Sequence, residues 1–413
     1  MLSANNVRII RYVLMVSAGL LLALLGWRML SVSASDTPIS ATSTPIATKA
    51  TQRVMVAVPA EYRRPLRKKR ILMAPPGFHI AVFAEDLGKA RFMAVSPAGD
   101  IYLSVPPKGQ VLVLPDRNKD GVADRVVVFA DDLDQPHGLA FRGNELIVAE
   151  NSRLTRLVDT NSDLRADVKT VVSNDIPGGG GHATRTVVQG AAGKLYVAAG
   201  SSCNVCIEED PRRATVMRFQ PQGGKGEIYA RGLRNTVGLA IHPVTGELWG
   251  VDNGRDMLGD DLPPEELNLI AQGADYGWPY CYGNAVPDPQ LGTQQRCANT
   301  RPPAVALQAH SAPLGLTFGH GLAFPEEYQQ TLLIAFHGSW NRSQPTGYKL
   351  IGIPFKAGKP QGEPFDIITG WLEGDKPWGR PVAPLVGADG ALYLSDDYGT
   401  VYRITWKAAA PPR

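Results

Sequence analysis

The chain has 413 residues, of which 44% are hydrophobic and 20% are charged, a composition typical of an ordinary globular protein. Its net charge of +3 is unevenly distributed, because residues 1–70 carry 11 Lys/Arg against 2 Asp/Glu and the remainder carries 31 against 37. Nucleic-acid binding requires a basic face, so this mildly acidic body argues against nucleic acid as a partner. The 43 glycines and 33 prolines favour short strands separated by turns, and therefore an all-β fold.

An apolar segment near the N-terminus predicts a membrane anchor or an export signal. Residues 12–30 contain a single charged side chain, Arg28, and two arginines precede the segment. Its length is about that needed to cross a bilayer, and the leading arginines favour a cytoplasmic N-terminus. We expect residues 1–30 to be a transmembrane helix that places the body on the periplasmic or extracellular side of the cell envelope. A cleaved signal peptide, which would make the protein secreted, is the alternative.

The segment that follows predicts a tether. Residues 31–60 are rich in Ser, Thr, Ala and Pro and poor in large apolar side chains. A basic cluster, RRPLRKKR, occupies residues 63–70, and it is either a solvated charge run or a site of attraction to anionic lipid. We therefore expect residues 31–74 to be a flexible linker with a basic cluster.

Six copies of one pattern dominate the rest of the chain. Each copy is an apolar strand, a Gly-containing turn and a second apolar strand, and the copies start at Phe92, His137, Arg185, Val237, Leu314 and Val382. Most starts lie about 45 to 50 residues apart, the spacing of four-stranded propeller blades. The sequence thus predicts a six-bladed β-propeller over residues 75–406 and a short tail at 407–413. Residues 75–84 are expected to close the ring as the outer strand of the last blade.

The interval between the fourth and fifth copies is longer, about 77 residues, and it holds an insertion from roughly Ala271 to Ala312. Loops from several blades converge on one face of a propeller, so a site would be built there.

Three motifs carry groups suited to chemistry. Four glycines at residues 178–181 let the backbone approach a flat ligand closely and leave His182 as the titratable group. Arg234 and Asn235 open the fourth copy and offer donors for carboxylate or quinone oxygens. An acidic loop, Asp252–Arg255, follows the next strand. From the residues alone, a buried structural histidine and an arginine in a salt bridge remain alternatives.

The order and spacing of these motifs over Arg231–Tyr282 resemble the glucose/sorbosone dehydrogenase family, quinoproteins that oxidise sugars with pyrroloquinoline quinone (PQQ) on a six-bladed propeller. The resemblance implies oxidation of a sugar or sugar-derived aldehyde of the sorbosone or aldose type. It also implies PQQ and Ca²⁺ as cofactors, hydride transfer to the quinone, and electrons passed to an external acceptor, either a quinone or a cytochrome.

The resemblance assigns His182 as the catalytic base and places Arg234 close to the reactive carbonyl of the cofactor, with Asn235 binding beside it. Two departures accompany this assignment. Gly181 replaces an Asp before the histidine, so the partner that orients the imidazole must come from elsewhere. Val237 replaces a Gln that binds the cofactor in the family.

The same resemblance assigns the acidic loop to the cofactor and its metal. Asn253 would face PQQ, and the backbone carbonyls of Gly254 and Arg255 would hold the Ca²⁺ that polarises it. Arg255 stands where the family has Pro, which alters the rigidity of the loop. A run of acidic residues downstream is expected to be a solvated loop or a set of groups behind the metal ligands: Asp260, Asp261, Glu265 and Glu266.

Three further residues are assigned to cofactor binding through the resemblance. Arg342, in GSWNR, is the candidate for a PQQ carboxylate, and Arg380 matches the first arginine of the family's Gly-Arg-x-Arg motif. Val382 occupies the position of the second arginine. His310 lies near the family's cofactor-stacking segment.

Four cysteines permit three disulfide pairings in an exported protein. Cys203-x-x-Cys206 lacks the partners of a zinc site and the histidine of a haem-attachment motif. We expect a local Cys203–Cys206 disulfide with Cys281–Cys297 as its companion. Without a haem of its own, a dehydrogenase of this kind must pass electrons to a separate carrier.

Two loops that begin at Asp116 and Asp159 resemble the start of a calcium-binding EF-hand loop but lack its twelfth-position Glu, so they are expected to be polar turns, with calcium as the alternative. Two other functions remain open. A non-catalytic propeller could bind carbohydrate or protein at the cell envelope, and a calcium-dependent propeller lactonase would require a cluster of acidic metal ligands at the channel.

Overall fold

The structure is a computed structural model that describes residue 47, residues 49–62 and residues 70–408. Six antiparallel sheets surround a central channel, and the inner strand of each sheet contacts the inner strands of its two neighbours, so that the ring is closed. The prediction of an all-β, six-bladed propeller is confirmed. The described helices are short, and they comprise the α-helices Gln294–Cys297 and Glu326–Gln329 and the 3₁₀ helices Ala60–Tyr62, Pro106–Lys108 and Ala191–Gly193.

Blades 1 to 3 each run from the inner to the outer strand in chain order. Blade 1 consists of Met93–Val95, Ile101–Val105, Gln110–Leu114 and Val127–Ala130. Blade 2 consists of Gly138–Arg142, Glu145–Ala149, Leu154–Val158 and Val168–Ser173. Blade 3 consists of Arg185–Gln189, Leu195–Ala199, Thr215–Gln220 and Gly223–Arg231.

Blades 4 to 6 follow the same plan with additions. Blade 4 consists of Thr236–Ile241, Leu248–Asp252, Glu265–Ile270 and Val305–Leu307. Blade 5 consists of Pro313–Phe318, Thr331–Phe336, Lys349–Lys356 and Phe365–Ile368, with Lys359–Pro360 also paired to its third strand. Blade 6 consists of Pro381–Val386, Leu392–Asp396, Thr400–Trp406 and Phe78–Ala84.

The outer strand of blade 6 comes from the other end of the propeller sequence. Phe78–Ala84 pairs antiparallel with Thr400–Trp406, from Phe78 opposite Trp406 to Ala84 opposite Val401. The side chains of Ile80 and Val82 are buried in the core cluster that this blade shares with blade 5. The expected closure by residues 75–84 is therefore confirmed, and it joins the two ends of the propeller through one sheet.

Small residues let the inner strands approach closely around the channel. A Cβ on Gly238 would lie 2.1 Å from the carbonyl oxygen of Leu314, so the inner strands of blades 4 and 5 could not pack as they do with any larger residue. A cluster of apolar side chains, here called the channel floor, crosses the channel at this level and consists of Phe92, Val237, Leu314, Val382 and Ala383. Beyond this floor lies a separate cavity of about 320 Å³.

The two valines that depart from the family pattern belong to this floor. Val237 and Val382 are both buried, and each packs within the cluster. The positions where the family has polar groups are thus apolar here and close the channel.

The insertion in blade 4 occupies the connection between the third and fourth strands. Asp275 of the insertion forms an isolated β-bridge with Arg231 at the end of the outer strand of blade 3. The insertion also contains the short paired strands Cys281–Tyr282 and Val286–Pro287. A disulfide joins Cys281 to Cys297, and another joins Cys203 to Cys206, so both expected pairings are confirmed.

The loops at Asp116 and Asp159 are polar turns between the third and fourth strands of blades 1 and 2. The Asp116 carboxylate accepts hydrogen bonds from the N–H groups of Asp120 and Gly121. That of Asp159 accepts them from residues 161, 162 and 164. These bonds confirm the expected turns.

A two-stranded strap precedes the propeller where the sequence led us to expect a flexible linker. Gln52–Met55 pairs with Ile71–Ala74, and the side chains of Val54, Val56 and Leu72 are buried in the core cluster shared by blades 5 and 6. The expectation of a flexible linker is therefore wrong for this part of the chain. The segment is poor in large apolar side chains overall, but the few that it has pack against blades 5 and 6.

Backbone bridges fasten the strap to the outer strands. Ala57 pairs with Ala81 in the outer strand of blade 6, and Ala47 pairs with Phe365 in that of blade 5. A further small pair of strands, Leu372–Glu373 and Lys376–Pro377, connects blade 5 to blade 6.

The predicted anchor or signal segment at residues 1–30, most of the basic cluster and most of the tail lie outside the described residues. Within the part of the chain that is described, no helix has the length and hydropathy of a membrane span.

We predict that the strap contributes to the stability of the ring. Leu72→Ala removes a fully buried side chain and should lower the free energy of unfolding by about 2 to 5 kcal/mol, measured by denaturant titration. The matched control is Met55→Ala in the same strap, whose side chain is 59% exposed and whose loss should change the free energy by about 0.5 kcal/mol or less. Equal effects of the two substitutions would show that the strap is not packed on the blades.

Candidate functional site

One end of the channel gathers the predicted site residues. The inner strands of the six blades begin at the same level, as their packing across the channel floor shows. His182, Arg234, Asn235 and Arg380 stand one to three residues before an inner strand. This end of the channel is here called the site face, and the connections between the second and third strands of every blade emerge at it as well.

His182 is oriented by the loop that follows the second strand of blade 3. Its Nδ1 lies 3.0 Å from the carbonyl oxygen of Ser201 and 2.8 Å from the Ser201 hydroxyl. A carbonyl only accepts, and the hydroxyl donates its proton to the carbonyl of Cys203 at 2.7 Å. Nδ1 therefore carries the imidazole proton, which leaves the lone pair of Nε2 available as a base. Ser201 is the orienting partner that Gly181 left unassigned.

Burial and neighbouring positive charge keep His182 neutral. Burial, followed by the charge of Arg234, lowers the pKa of His182 to about 4. Two more arginines hold the adjacent glycine-rich loop: Arg185 donates to the carbonyl of His182 at 2.7 Å, and Arg213 donates to that of Gly179 at 2.9 Å. A neutral imidazole near pH 7 is the form that can accept a proton.

Arg234 is buried and its guanidinium is surrounded by protein oxygens. Nε donates to the carbonyl of Asn204 at 2.9 Å and Nη2 to the side-chain oxygen of the same residue at 2.8 Å. Nη1 donates to the carbonyls of Asn253 and Gly254, at 3.0 and 2.7 Å. One of the two predicted calcium-binding carbonyls, that of Gly254, is thus already in contact with a positive charge.

The histidine and the Arg–Asn pair meet, as the sequence predicted. The N–H of Ser201 donates to the carbonyl of Arg234 at 2.8 Å. Gly200 lies between the two groups, because a Cβ there would be 2.7 Å from the Cβ of His182 and 2.9 Å from the side-chain oxygen of Asn235. Only the absence of a side chain at residue 200 allows this close approach.

Buried carboxylates hold the acidic loop and the residues beside it by accepting hydrogen bonds from their backbone and side chains. Asp252 accepts hydrogen bonds from the N–H of Asn235 and the hydroxyl of Thr236, at 2.9 and 2.7 Å. Glu265 accepts one from the N–H of Gly254 at 2.7 Å. Asn253 donates its side-chain amide to the carbonyl of Pro313 at 2.8 Å, so that it ties blade 4 to blade 5.

Glu265 and Glu266 do not belong to a solvated loop, contrary to the expectation from sequence. Both are buried at the start of the third strand of blade 4, where they accept hydrogen bonds from backbone N–H groups. Burial raises the pKa of Asp252 to about 6, that of Glu265 to about 8 and that of Glu266 to about 7. The cluster would gain from a nearby cation, since a positive charge stabilises the ionised carboxylates.

Two predicted site residues hold the acidic loop in place. The side chain of Arg255 forms an ion pair with the buried Asp288 of the insertion at 2.7 Å. Nε2 of His310 contacts the carbonyls of Gly259 and Leu262 at 2.9 and 3.0 Å, both of which can only accept. His310 therefore anchors residues 259–262, which continue the connection after the acidic loop, through its imidazole.

The two predicted carboxylate-binding arginines lie in different surroundings. Arg342 forms an ion pair with Asp261 at 2.8 Å and donates to the carbonyl of Asp260, both in the connection that continues after the acidic loop. Arg380 lies 3.4 Å from Nδ1 of His337 and 3.3 Å from the hydroxyl of Tyr348. Arg342 therefore contacts the connection in blade 4, whereas Arg380 contacts residues of blade 5.

Sequence reasoning missed three residues of this site: Ser201, Asn204 and His337. Ser201 lies beside and Asn204 within the Cys203-x-x-Cys206 motif, and His337 lies five residues before Arg342. The sequence around them has no spacing that distinguishes a site residue from its neighbours, because their contacts join residues that are distant in the chain, as between Ser201 and His182.

The site face suits a flat anionic ligand and a hard cation. The channel floor supplies an apolar surface, and the guanidinium groups of Arg234 and Arg380 supply positive charge above it. The carbonyl of Gly254, which accepts a hydrogen bond from Arg234, has a second lone pair that could bind Ca²⁺. The buried carboxylates of Asp252 and Glu265 lie behind it and would offset the positive charge of both the arginine and the metal. On these grounds the residues present fit both PQQ and Ca²⁺.

Comparisons with known proteins agree with this description. A family model described as TrAA12-like matches residues 72–407. An uncharacterized protein of Borreliella burgdorferi is 30% identical over 355 residues, which cover 81% of this chain and 91% of the relative. A pyrroloquinoline quinone-dependent sugar dehydrogenase of Hypocrea jecorina is 28% identical over 241 residues, covering 46% of this chain. That match spans 52% of the dehydrogenase, about half its length.

Solved structures share the fold. The holo form of the pyranose dehydrogenase PQQ domain of Coprinopsis cinerea has a TM-score of 0.72 at 22% identity and covers 84% of this chain and 100% of the domain. A calcium structure of a Trichoderma reesei enzyme of Carbohydrate-Active Enzymes family AA12 has a TM-score of 0.71 at 22% identity, covering 81% and 96%. At this identity the likeness shows the propeller fold.

We predict that His182 titrates far below an ordinary histidine. Its folded-state pKa of about 4 lies below the value of 6.5 expected when unfolded, so its contribution to stability is complete above pH 6.5. As the pH falls from 6.5 towards 4, the unfolded state binds a proton that the folded state does not, and stability decreases. Imidazole-selected ¹H–¹⁵N NMR, with His182→Gln to assign the signal, measures the titration. A half-protonated His182 at pH 6.5 would contradict it.

Proposed function

The chain belongs to the TrAA12-like family, and on this premise we propose that it is a PQQ-dependent dehydrogenase that oxidises a sugar or sugar-derived aldehyde of the sorbosone or aldose type. The observation that carries the proposal is the neutral His182, whose free Nε2 lone pair stands beside Arg234 and Asn235 on the site face. The activities named for the Hypocrea jecorina and Coprinopsis cinerea proteins support it.

We propose that the cofactors are PQQ and Ca²⁺. When bound, PQQ supplies the hydride acceptor and Ca²⁺ increases its electrophilicity. Arg234, Asn235, Asn253 and Arg380 would hold the quinone over the channel floor, and His337 adds a second nitrogen base beside Arg380. The carbonyls of the acidic loop would hold the metal: those of Gly254 and Arg255. Arg342 and His310, which contact residues 259–262 in the same connection, would act by holding the chain that follows the acidic loop.

The proton chemistry follows from the hydrogen bonds of His182. Nε2 would accept the hydroxyl proton of the sugar, or of a hydrated aldehyde, as hydride leaves the carbon. The imidazolium formed in this way keeps its Nδ1–H bonded to the carbonyl of Ser201, so the ring need not turn. The fixed charge of Arg234 favours negative charge on the substrate oxygen. The electrons then pass to an external acceptor, a quinone or a cytochrome.

A second candidate is a non-catalytic module that binds carbohydrate at the cell envelope. It is favoured by the way Arg234 is already bonded to the carbonyls of Asn204, Asn253 and Gly254, and by the valines at positions 237 and 382. In this case the same face would bind a sugar without transforming it.

Titration with PQQ and Ca²⁺ separates the two candidates. We expect a saturable change in PQQ absorbance and sugar-dependent reduction of a dye such as dichlorophenolindophenol by the full-length protein. Removal of Ca²⁺ with a chelator should abolish turnover, and added Ca²⁺ should restore it. Sugar binding by calorimetry without a PQQ signal or dye reduction would instead support the binding module.

We predict that His182→Gln lowers kcat by about 10²- to 10⁴-fold while PQQ still binds, because the general base is lost. Ser201→Ala removes one of two acceptors at Nδ1 and should lower kcat by about 5-fold. The control is His320→Gln, a histidine that lines the cavity on the opposite side of the channel floor. Unchanged turnover in His182→Gln would rule out the assigned base.

A further inference from the structure

We propose that exposed apolar side chains around the site face form a docking surface for a small, basic, one-electron carrier protein. The proposal rests on the proposed dehydrogenase function, which requires an acceptor, and it identifies where and by what chemistry that acceptor is recognised. The surface, here called the rim, consists of Ile207, Met257, Trp340 and Tyr398.

The rim residues share one structural position. Each lies in the connection between the second and third strands of its blade, in blades 3, 4, 5 and 6 respectively, and these connections emerge at the site face. Their side chains are between 54% and 74% exposed. Exposed large apolar residues cost solubility unless they serve contact with another molecule, and clusters of them mark interaction surfaces.

The backbone that carries the rim is fixed although the side chains are in solvent. Ile207 follows the Cys203–Cys206 disulfide, and Met257 follows Asp256, which accepts a hydrogen bond from Asn341 at 2.8 Å. Trp340 directly precedes that asparagine. Tyr398 follows Asp397, which forms an ion pair with Arg91 at 3.2 Å. A surface already held in place loses little entropy when a partner binds.

The charge around the rim indicates a basic partner. Glu209 is exposed two residues after Ile207. Asp261 is exposed in the same loop as Met257, where it forms an ion pair with Arg342. Three more exposed acids lie in the connection that leads into blade 2 on the same face: Asp131, Asp132 and Asp134. These acids outnumber the exposed Lys89 and Lys108 of the same face. A face with an excess of negative charge attracts a positively charged protein and orients it before contact. A neutral sugar gains nothing from these charges, and only two of the four rim residues, Trp340 and Tyr398, carry flat rings that stack on sugars.

The channel floor leaves the site face as the side from which an electron acceptor can approach. The five floor side chains separate the site from the cavity on the other side, so an acceptor would approach the cofactor from the site face, where the rim residues of four of the six blades lie. All four cysteines of the chain are in disulfides, and they offer no free thiol as an acceptor.

The redox balance sets the stoichiometry. Oxidation of one sugar hydroxyl or hydrated aldehyde breaks a C–H and an O–H bond and releases two electrons and two protons. Each carrier, arriving oxidised, takes one electron, so two carriers are reduced per sugar and the two protons pass to solvent. Repeated brief docking suits the small, partly apolar interfaces of electron-transfer encounters.

The test uses the full-length protein loaded with PQQ and Ca²⁺ and two acceptors, the small dye dichlorophenolindophenol and a basic cytochrome c. Ile207→Ser, Met257→Ser, Trp340→Ala and Tyr398→Ser, combined, should lower the second-order rate of cytochrome c reduction by about 10-fold or more. Dye reduction and the KM for sugar should not change. The matched control is Val244→Ser, an apolar residue 79% exposed in the turn between the first two strands of blade 4, at the opposite end of the channel.

A charge variant tests the partner's sign. Glu209→Lys should slow cytochrome c reduction several-fold at low ionic strength, and the difference from the unmodified protein should vanish at about 0.5 M salt, where charges are screened. An unchanged cytochrome c rate in the combined variant, or an equal loss in Val244→Ser, would overturn the docking surface while dye reduction still supported the dehydrogenase. A raised KM for sugar would assign the rim to the substrate instead. Absence of sugar-dependent dye reduction would overturn both proposals.

Discussion

Closure of the ring by Phe78–Ala84 is the constraint on which the rest of the structure depends. This strand pairs with Thr400–Trp406 and joins the two ends of the propeller in one blade. With the ring closed, six inner strands begin at one level, and the short segments that precede them converge on the site face. The strap adds to the same seam, because its buried side chains pack where blades 5 and 6 meet. Because the site is assembled from residues of separate blades, its geometry requires that the blades keep fixed positions relative to one another.

Electrostatics in the site are set by burial of opposite charges within one small volume. The guanidinium of Arg234 is enclosed by backbone carbonyls, and the carboxylates of Asp252 and Glu265 hold the N–H groups of the same loop. Desolvation pushes the acids towards their neutral form and keeps His182 unprotonated. A bound cation and a bound anion would each relieve part of this cost, which is the physical reason for expecting both at this face.

The folded protein shows which contacts replace those of the family at the positions that depart from its pattern. Val237 and Val382 pack with Phe92, Leu314 and Ala383 in the channel floor, so the losses of a glutamine and an arginine are compensated by apolar contact. The loss of the aspartate before His182 is compensated by Ser201, which reaches the imidazole from the next loop of the same blade. The two valines thus add to the apolar floor of the channel, and the imidazole keeps a polar partner.

The sequence by itself determined the propeller, its six blades, the closing strand, both disulfides and the proximity of His182 to Arg234 and Asn235. Strand periodicity, repeat spacing and local motifs depend on residues that are close in the chain, so they can be recognised in the sequence alone. Only the tertiary structure decided that Ser201 orients His182, that His310 and Arg255 hold a loop through their side chains, that Glu265 and Glu266 are buried, and that residues 49–62 and 70–74 pack against the blades. These depend on contacts between residues distant in the chain, and side-chain direction and burial follow from packing that no local pattern records.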